Sequence, residues 1–272
     1  MNKYQTIRLL GNGSRGSVYL MRHIDTGELF AAKVINKKNV RETDVKKLKD
    51  YYIPRLVNHQ PNILYVVDAY EDDNNFYILS EYFPSQDMFE FRIQDDLYTK
   101  VELALTIAKA IKSLHDANII HRDIKLENVL IKKKIVDDKV TYIPLLIDFD
   151  LSCLDVKDSP YPCKGTVGTY IYAAPELFVK MPHDPKKTDI YSLGILFYLL
   201  FSDYKYPYKK FDLTKISEII YQTLMTLPYN LETEYDLLNS LVMGMLEKNH
   251  QDRPNIDEII AGLQNVLRIY PS

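Results

Sequence analysis

The chain has 272 residues, 46% of them hydrophobic and 26% charged, enough apolar material for one large domain or for two lobes with separate cores. A formal net charge of -3 supplies no overall field that would gather nucleic acid or an anionic membrane, so neither is expected as a partner. Two cysteines, Cys153 and Cys163, are too few for a disulfide framework and lack the four-ligand spacing of a structural zinc site, which makes a reducing compartment the expectation.

Residues 4 to 35 alternate apolar and polar side chains and break at glycines, in YQTIRLL, GSVYLMRH and LFAAKVI, which predicts strands of an antiparallel sheet. Between the first two, LGNGSRGSV places Gly11, Gly13 and Gly16 where a hairpin can bring backbone N–H groups against phosphate oxygens without side-chain collision. A strand follows where a dinucleotide-binding turn requires a helix, so that alternative fails, while a plain hairpin turn stays open. Lys33, in AAKVI, sits mid-strand among apolar neighbours. Turned inward it needs an anion; turned outward it is solvated. Residues 40 to 58 predict a helix interrupted late by Pro54, and NILYVVDAYEDDNNFYILSEYF predicts two strands around an acidic turn. From about residue 100 the period becomes helical, in KVELALTIAKAIKSLHDANI, DIYSLGILFYLLF, KISEIIYQTL, YDLLNSLVMGML and NIDEIIAGLQNVLR. The run IYSLGILFYLLF at 190 to 201 is too short to cross a bilayer and reads as a helix buried on all sides. No secretory leader is expected from MNKYQTIRLL, and IKKKIVDDK reads as a solvated hairpin. A β-rich N-terminal part thus joins a helical C-terminal part near residue 84.

Two short stretches concentrate chemistry. IIHRDIKLENVLI, residues 119 to 131, puts His121, Arg122, Asp123, Lys125 and Asn128 between a helix and apolar strand residues, a density of reactive side chains that packing does not explain. LLIDFDLS, residues 145 to 152, sets Asp148 and Asp150 on either side of Phe149 after an apolar run. Continued as a strand, the two carboxylates would share a face and repel, so either a cation binds there or the chain turns.

These stretches resemble the eukaryotic protein kinases, serine/threonine type. HRDIKLEN matches the H-R-D-x-K-x-x-N catalytic loop, VGTYIYAAPE is similar to the end of the activation segment with Ala174, Pro175 and Glu176, and DIYSLG resembles the buried F helix. QDRP supplies Arg253 as the partner expected for Glu176. The resemblance spans essentially the whole chain and implies an α+β, bilobal catalytic domain over residues 4–268, with a small β-rich N-lobe (4–83) and a larger helical C-lobe (84–268). It implies transfer of phosphate from ATP to serine or threonine hydroxyls of proteins. Asp123 would orient the acceptor hydroxyl and take its proton, Lys125 would stabilise the migrating phosphoryl group, and Asn128 with Asp148 would hold magnesium, or manganese. Lys33 would hold the α and β phosphates beneath a loop formed by Leu10, Gly11, Asn12, Gly13, Ser14, Arg15, Gly16, Ser17 and Val18. FYILSEYFPSQDMFEF matches the connection between lobes: Ser80 falls at the gatekeeper position, Glu81 and Phe83 would offer backbone groups to adenine, and Asp87 would meet the ribose. Ala31, Val18 and Leu130 would sandwich the base.

Two departures from the family pattern, and the arginine beside the catalytic aspartate, carry expectations of their own. Asp150 replaces the glycine of D-F-G, which predicts retained activity with restricted flipping of the motif, an extra metal ligand being the alternative. Counting back from NHQPNIL, which has one residue more than the family's H-P-N-I, the partner of Lys33 falls on Asp50 instead of a glutamate, with Glu42 and Asp44 as substitutes nearer the helix start. Aspartate is one methylene shorter, so the helix must approach by roughly 1 to 1.5 Å. Arg122 needs an anion, which a phosphate on Ser159, Tyr161 or, best placed, Thr166 would supply, unless Asp150, Asp155 or Asp158 already does. Lys125 and Thr169 mark the serine/threonine class, and Asp87 with Glu127 suggests a taste for basic residues near the acceptor. The alternative to an active enzyme is a scaffold that binds nucleotide or a partner without turnover; retention of Lys33, Asp123, Asn128 and Asp148 argues against it. A monomer acting in the cytoplasm is expected, with the nucleus open and no accessory domain beside the catalytic region.

Overall fold

The structure, a computed structural model, describes residues 3–13, 15–136, 139–165, 167–179, 182–208 and 215–271. Ser14 of the glycine loop and Thr166, the expected phosphate acceptor, lie outside the described residues. The fold is α+β, and the chain divides into two compact units, Met1–Ser85 and Gln86–Ser272.

In the first unit, strands β1 (Tyr4–Asn12), β2 (Ser17–His23), β3 (Leu29–Asn36), β4 (Val66–Glu71) and β5 (Asn75–Glu81) form one antiparallel sheet in the order β1-β2-β3-β5-β4. Turn chemistry sets the hairpins. Gly27 takes φ 73° between β2 and β3, and Asp72 Oδ1 accepts the N–H groups of Asn74 and Asn75 between β4 and β5. The period of two sends Ile35, Phe76 and Ile78 to one face, against Val45, Leu48 and Val66, and Phe30, Ala32 and Leu79 to the other, against Met21. The expected helix over 40 to 58 is mostly absent. Asp44 Oδ1 accepts the Lys46 N–H and stabilises a 3-10 turn, Val45–Lys47; Leu48 is then extended, and helix α1 covers only Lys49–Arg55. An aspartate bonding the backbone two residues on favours a turn over a continuing helix, which is the effect the periodicity missed.

The second unit contains β6 (Gln86–Asp87), α2 (Met88–Phe91), α3 (Leu97–Asp116), β7 (Ile119–Ile120), β8 (Val129–Val136), β9 (Lys139–Leu146), β10 (Cys153–Leu154), α4 (Pro175–Val179), α5 (Pro185–Phe201), α6 (Ile216–Met225), α7 (Asp236–Met245) and α8 (Ile256–Ile269). Capping residues set the helix starts: Asp96 for α3, Asp184 followed by Pro185 for α5, and a reciprocal Asn255–Glu258 capping box for α8. Helix α5 is apolar around nearly its whole circumference and buried accordingly. Strands β6, β8 and β9 form one small sheet, while β7 pairs with β10. Among the described residues no helix is long and apolar enough to cross a membrane.

The cysteines correct the sequence reading. Cys153 and Cys163 are joined in a disulfide, their Cα atoms 5.1 Å apart. Counting cysteines overlooked the turn that unites them, in which the Leu154 N–H donates to the Tyr161 carbonyl at 2.8 Å.

Candidate active site

In the first unit, β1 and β2 close the glycine loop: the Gly13 N–H donates to the Gly16 carbonyl at 2.8 Å, and Ser17 Oγ donates to Asn12 Oδ1 at 2.8 Å. The glycines differ in need. A Cβ at Gly16 would lie 2.2 Å from the Val34 carbonyl oxygen, whereas one at Gly11 would meet nothing. Leu10 and Val18 are half-buried where the loop joins the sheet, with Val18 paired to Lys33; Arg15 lies in the loop. Lys33 on β3 reaches α1, its Nζ 2.9 Å from Asp50 Oδ1, and Asp50 is buried. Glu42 and Asp44 precede α1, and Asp44 is engaged as a turn cap. At the other end of β3, Ala31 pairs with Ser80, whose Oγ donates to the Ala31 carbonyl at 3.2 Å. The Glu81 N–H donates to the Tyr65 carbonyl at 3.1 Å, and the Phe83 carbonyl accepts from Ser85 Oγ at 3.0 Å.

In the second unit the catalytic-type residues follow β7, and a residue that the sequence reading passed over holds them. Asp189, wholly buried in α5, accepts the backbone N–H groups of His121 and Arg122, each at 2.8 Å, and lies 3.1 Å from His115 Nε2. That double grip supports Arg122 at φ 68°. The signal was an acid at the head of the otherwise apolar DIYSLGILFYLLF, where burial demands a specific partner. Arg122 then donates to the carbonyls of Lys164 and Gly165 at 2.9 and 2.7 Å, with no carboxylate ion-paired to its guanidinium among the described residues.

Both oxygens of Asp123 are occupied. Oδ1 accepts from Thr169 Oγ1 at 2.8 Å and Thr169 N–H at 3.1 Å, while Oδ2 lies 2.9 Å from Lys125 Nζ and 3.0 Å from Asn128 Nδ2. Lys125 Nζ also donates to Thr169 Oγ1 at 2.9 Å, and Asn128 Nδ2 to the Asp123 carbonyl at 2.8 Å. Burial pushes the Asp123 carboxyl up, but the Lys125 ammonium and the Thr169 hydroxyl outweigh it and hold it below its ordinary value. Thr169 reaches Asp123 because Gly168, at φ 110°, brings the chain against the Arg122 carbonyl; a Cβ there would lie 2.6 Å from that oxygen. Val167, Thr169, Tyr172 and Leu177 line a small recess beside Asp123.

The paired aspartates resolve into a turn. Asp148 takes φ 65°, and Asp150 is not among the positive-φ residues, so the backbone places its left-handed step on the first acid and makes no demand for glycine at the third position. Phe149 is buried against His121, ring centroids 5.1 Å apart. Asp87 spends Oδ1 on the Glu90 N–H as the cap of α2 and pairs with Leu130 across β6 and β8. Glu176 and Arg253 form a buried two-pronged pair at 2.7 and 2.8 Å.

Comparison with known proteins converges on one family. The family model described as protein kinase domain matches residues 4–262. A protein of Acanthamoeba polyphaga mimivirus, named as a putative serine/threonine-protein kinase, is 35% identical over 98% of this chain and 96% of its own length. The calcium/calmodulin-dependent protein kinase type I of Schizosaccharomyces pombe is 32% identical over 80% of this chain and 64% of its own length. Calcium-dependent protein kinase 4 of Plasmodium falciparum is 30% identical over 98% of this chain but only 45% of its own length.

Proposed function

The chain belongs to the protein kinase family, serine/threonine type, and from that premise we propose that it is a competent enzyme, moving the γ-phosphoryl group of ATP to serine and threonine hydroxyls of proteins in the presence of magnesium. The observation that carries this reading is the closed cluster of Asp123, Lys125, Asn128 and Thr169, in which every polar side chain is held by another.

Phosphoryl transfer asks a protein for position and charge more than for covalent chemistry. Asp123, fixed through both oxygens and ionised at neutral pH, orients the acceptor hydroxyl along the line of attack. With its pKa held low it is a weak base, so it takes the proton as the new oxygen–phosphorus bond forms and the bond to the ADP oxygen breaks. Lys125, 2.9 Å from Asp123, puts a cation where negative charge spreads over the transferring group. Lys33, held by Asp50, meets the α and β phosphates, under glycine-loop N–H groups. The donor set for the metal fits: Asp148 offers a carboxylate, and Asn128, with Nδ2 spent on Asp123, offers its amide oxygen. Bound there, magnesium neutralises phosphate charge, and manganese accepts the same oxygens. Glu127, exposed beside the catalytic loop, and Asp87 favour a basic residue near the acceptor.

The test is transfer of γ-labelled phosphate to a generic basic protein by the purified chain. Incorporation that needs magnesium, falls on phosphoserine and phosphothreonine, and vanishes in Asp123→Asn supports the proposal. Nucleotide binding without transfer by the wild type makes it a scaffold instead.

A further inference from the structure

The disulfide lies on the stretch between Phe149 and Thr169, and its two ends touch the catalytic loop by different routes. Cys153, wholly buried, pairs in β10 with Ile120 of β7, directly before His121 and Arg122. Cys163, half-buried, immediately precedes Lys164 and Gly165, whose carbonyls hold the Arg122 guanidinium. Between them the loop is fastened by the Leu154–Tyr161 hydrogen bond, the Leu154–Pro162 bridge and the Asp155 N–H to the Asn118 carbonyl. The cation beside Asp123 is therefore satisfied by carbonyls whose position depends on a covalent link ten residues long in sequence.

We infer that Cys153 and Cys163 form a redox modification site that sets the activity of this kinase: oxidised, the pair holds residues 154–165 against Arg122; reduced, it releases them. The inference rests on the kinase reading above. The chemistry closes with a low-molecular-weight disulfide such as oxidised glutathione as oxidant. The Cys163 thiolate, the more accessible, attacks one glutathione sulfur and expels a glutathione thiolate. The Cys153 thiol gives up its proton and attacks Cys163 Sγ in the resulting mixed disulfide, expelling the second glutathione thiolate. Two protein thiols lose two electrons and two protons, and the oxidant becomes two thiols. A dithiol reverses the sequence by attacking at Cys163.

The experiment poises the full chain across a series of reduced-to-oxidised glutathione ratios. Alkylation with intact-mass measurement reports the disulfide, phosphate transfer to a basic protein reports kcat, and hydrogen exchange reports the amides of residues 154–165. The expected result is that reduction lowers kcat by roughly five-fold or more, strips protection from those amides, and does both at the midpoint of disulfide loss. Cys163→Ser should match the reduced wild type and ignore the glutathione ratio. Unchanged kcat and protection across the series overturn the inference, as does Cys163→Ser activity equal to that of the oxidised wild type. If no redox state of the wild type transfers phosphate, the kinase reading fails and the exchange data decide alone: protection that follows the disulfide supports the site, and protection indifferent to it removes it.

Discussion

Lys33 and Asp50 form a pair whose halves cannot be lost independently, because a largely buried charge left alone keeps its desolvation cost and loses its compensation. Asp50→Asn keeps the shape and removes the anion, so kcat/KM should fall by the equivalent of about 2–4 kcal/mol. Asp50→Glu keeps the anion but must fit a further methylene where the contact is already 2.9 Å, so a smaller loss is expected. Steady-state kinetics of the two variants rank them, and a fully active Asn variant would show that the pair does not serve the reaction. Asp123 makes a prediction in pH. Its pKa is lower in the folded chain than in the unfolded one, because the Lys125 pairing and Thr169 hydrogen bonds outweigh burial. Its ionisation therefore contributes stability in full above the ordinary carboxylate range, and that contribution disappears as pH falls through the folded value. The stability difference between wild type and Asp123→Asn, measured by urea unfolding, should narrow as the solution is acidified; a gap that widens would contradict it. At this scale the sequence was informative about placement, since the short spacing within HRDIKLEN already puts Asp123, Lys125 and Asn128 within reach of one another.

Helix α5 and the turn at Gly168 decide where those side chains stand, and here the sequence said less. Asp189→Ala leaves the His121 and Arg122 N–H groups buried without an acceptor, at about 1–3 kcal/mol each. Thermal or denaturant unfolding should register a loss of that order, and kcat should drop with it as Arg122 leaves its left-handed conformation. Gly168→Ala needs an L side chain at φ 110° and a Cβ 2.6 Å from the Arg122 oxygen, so the chain must move and carry Thr169 off Asp123. A stability cost of about 1–3 kcal/mol is expected, with a drop in kcat larger than the change in KM; unaltered kinetics would show that Thr169 does not position Asp123. Neither role could be read from spacing. Asp189 lies 68 residues from His121, and the conformation of Gly168 depends on an oxygen from a different segment.

Over the whole molecule, strand alternation, the apolar helix and the clustered polar residues of HRDIKLEN were legible because each is a local pattern. The helix expected over 40 to 58 shrank because Asp44 Oδ1 takes the Lys46 N–H, and the cysteine pair was missed because loop closure leaves no periodic trace. Glu176 and Arg253 tie together positions 77 residues apart within the second unit, at full burial for the arginine. Removing one member by Glu176→Gln should cost about 3–5 kcal/mol, and adding Arg253→Met should recover part of it, as a double-mutant cycle in denaturant would reveal. Less stability in the double variant than in either single one would contradict that coupling. The grip of Asp189 has a consequence in time. His121 and Arg122 receive their acceptor only when a helix that begins more than sixty residues later along the chain has docked. Loop closure over such a span precedes any reward from the contact, so after dilution from denaturant helical signal should return first and phosphate transfer last, with a lag set by the burial of α5.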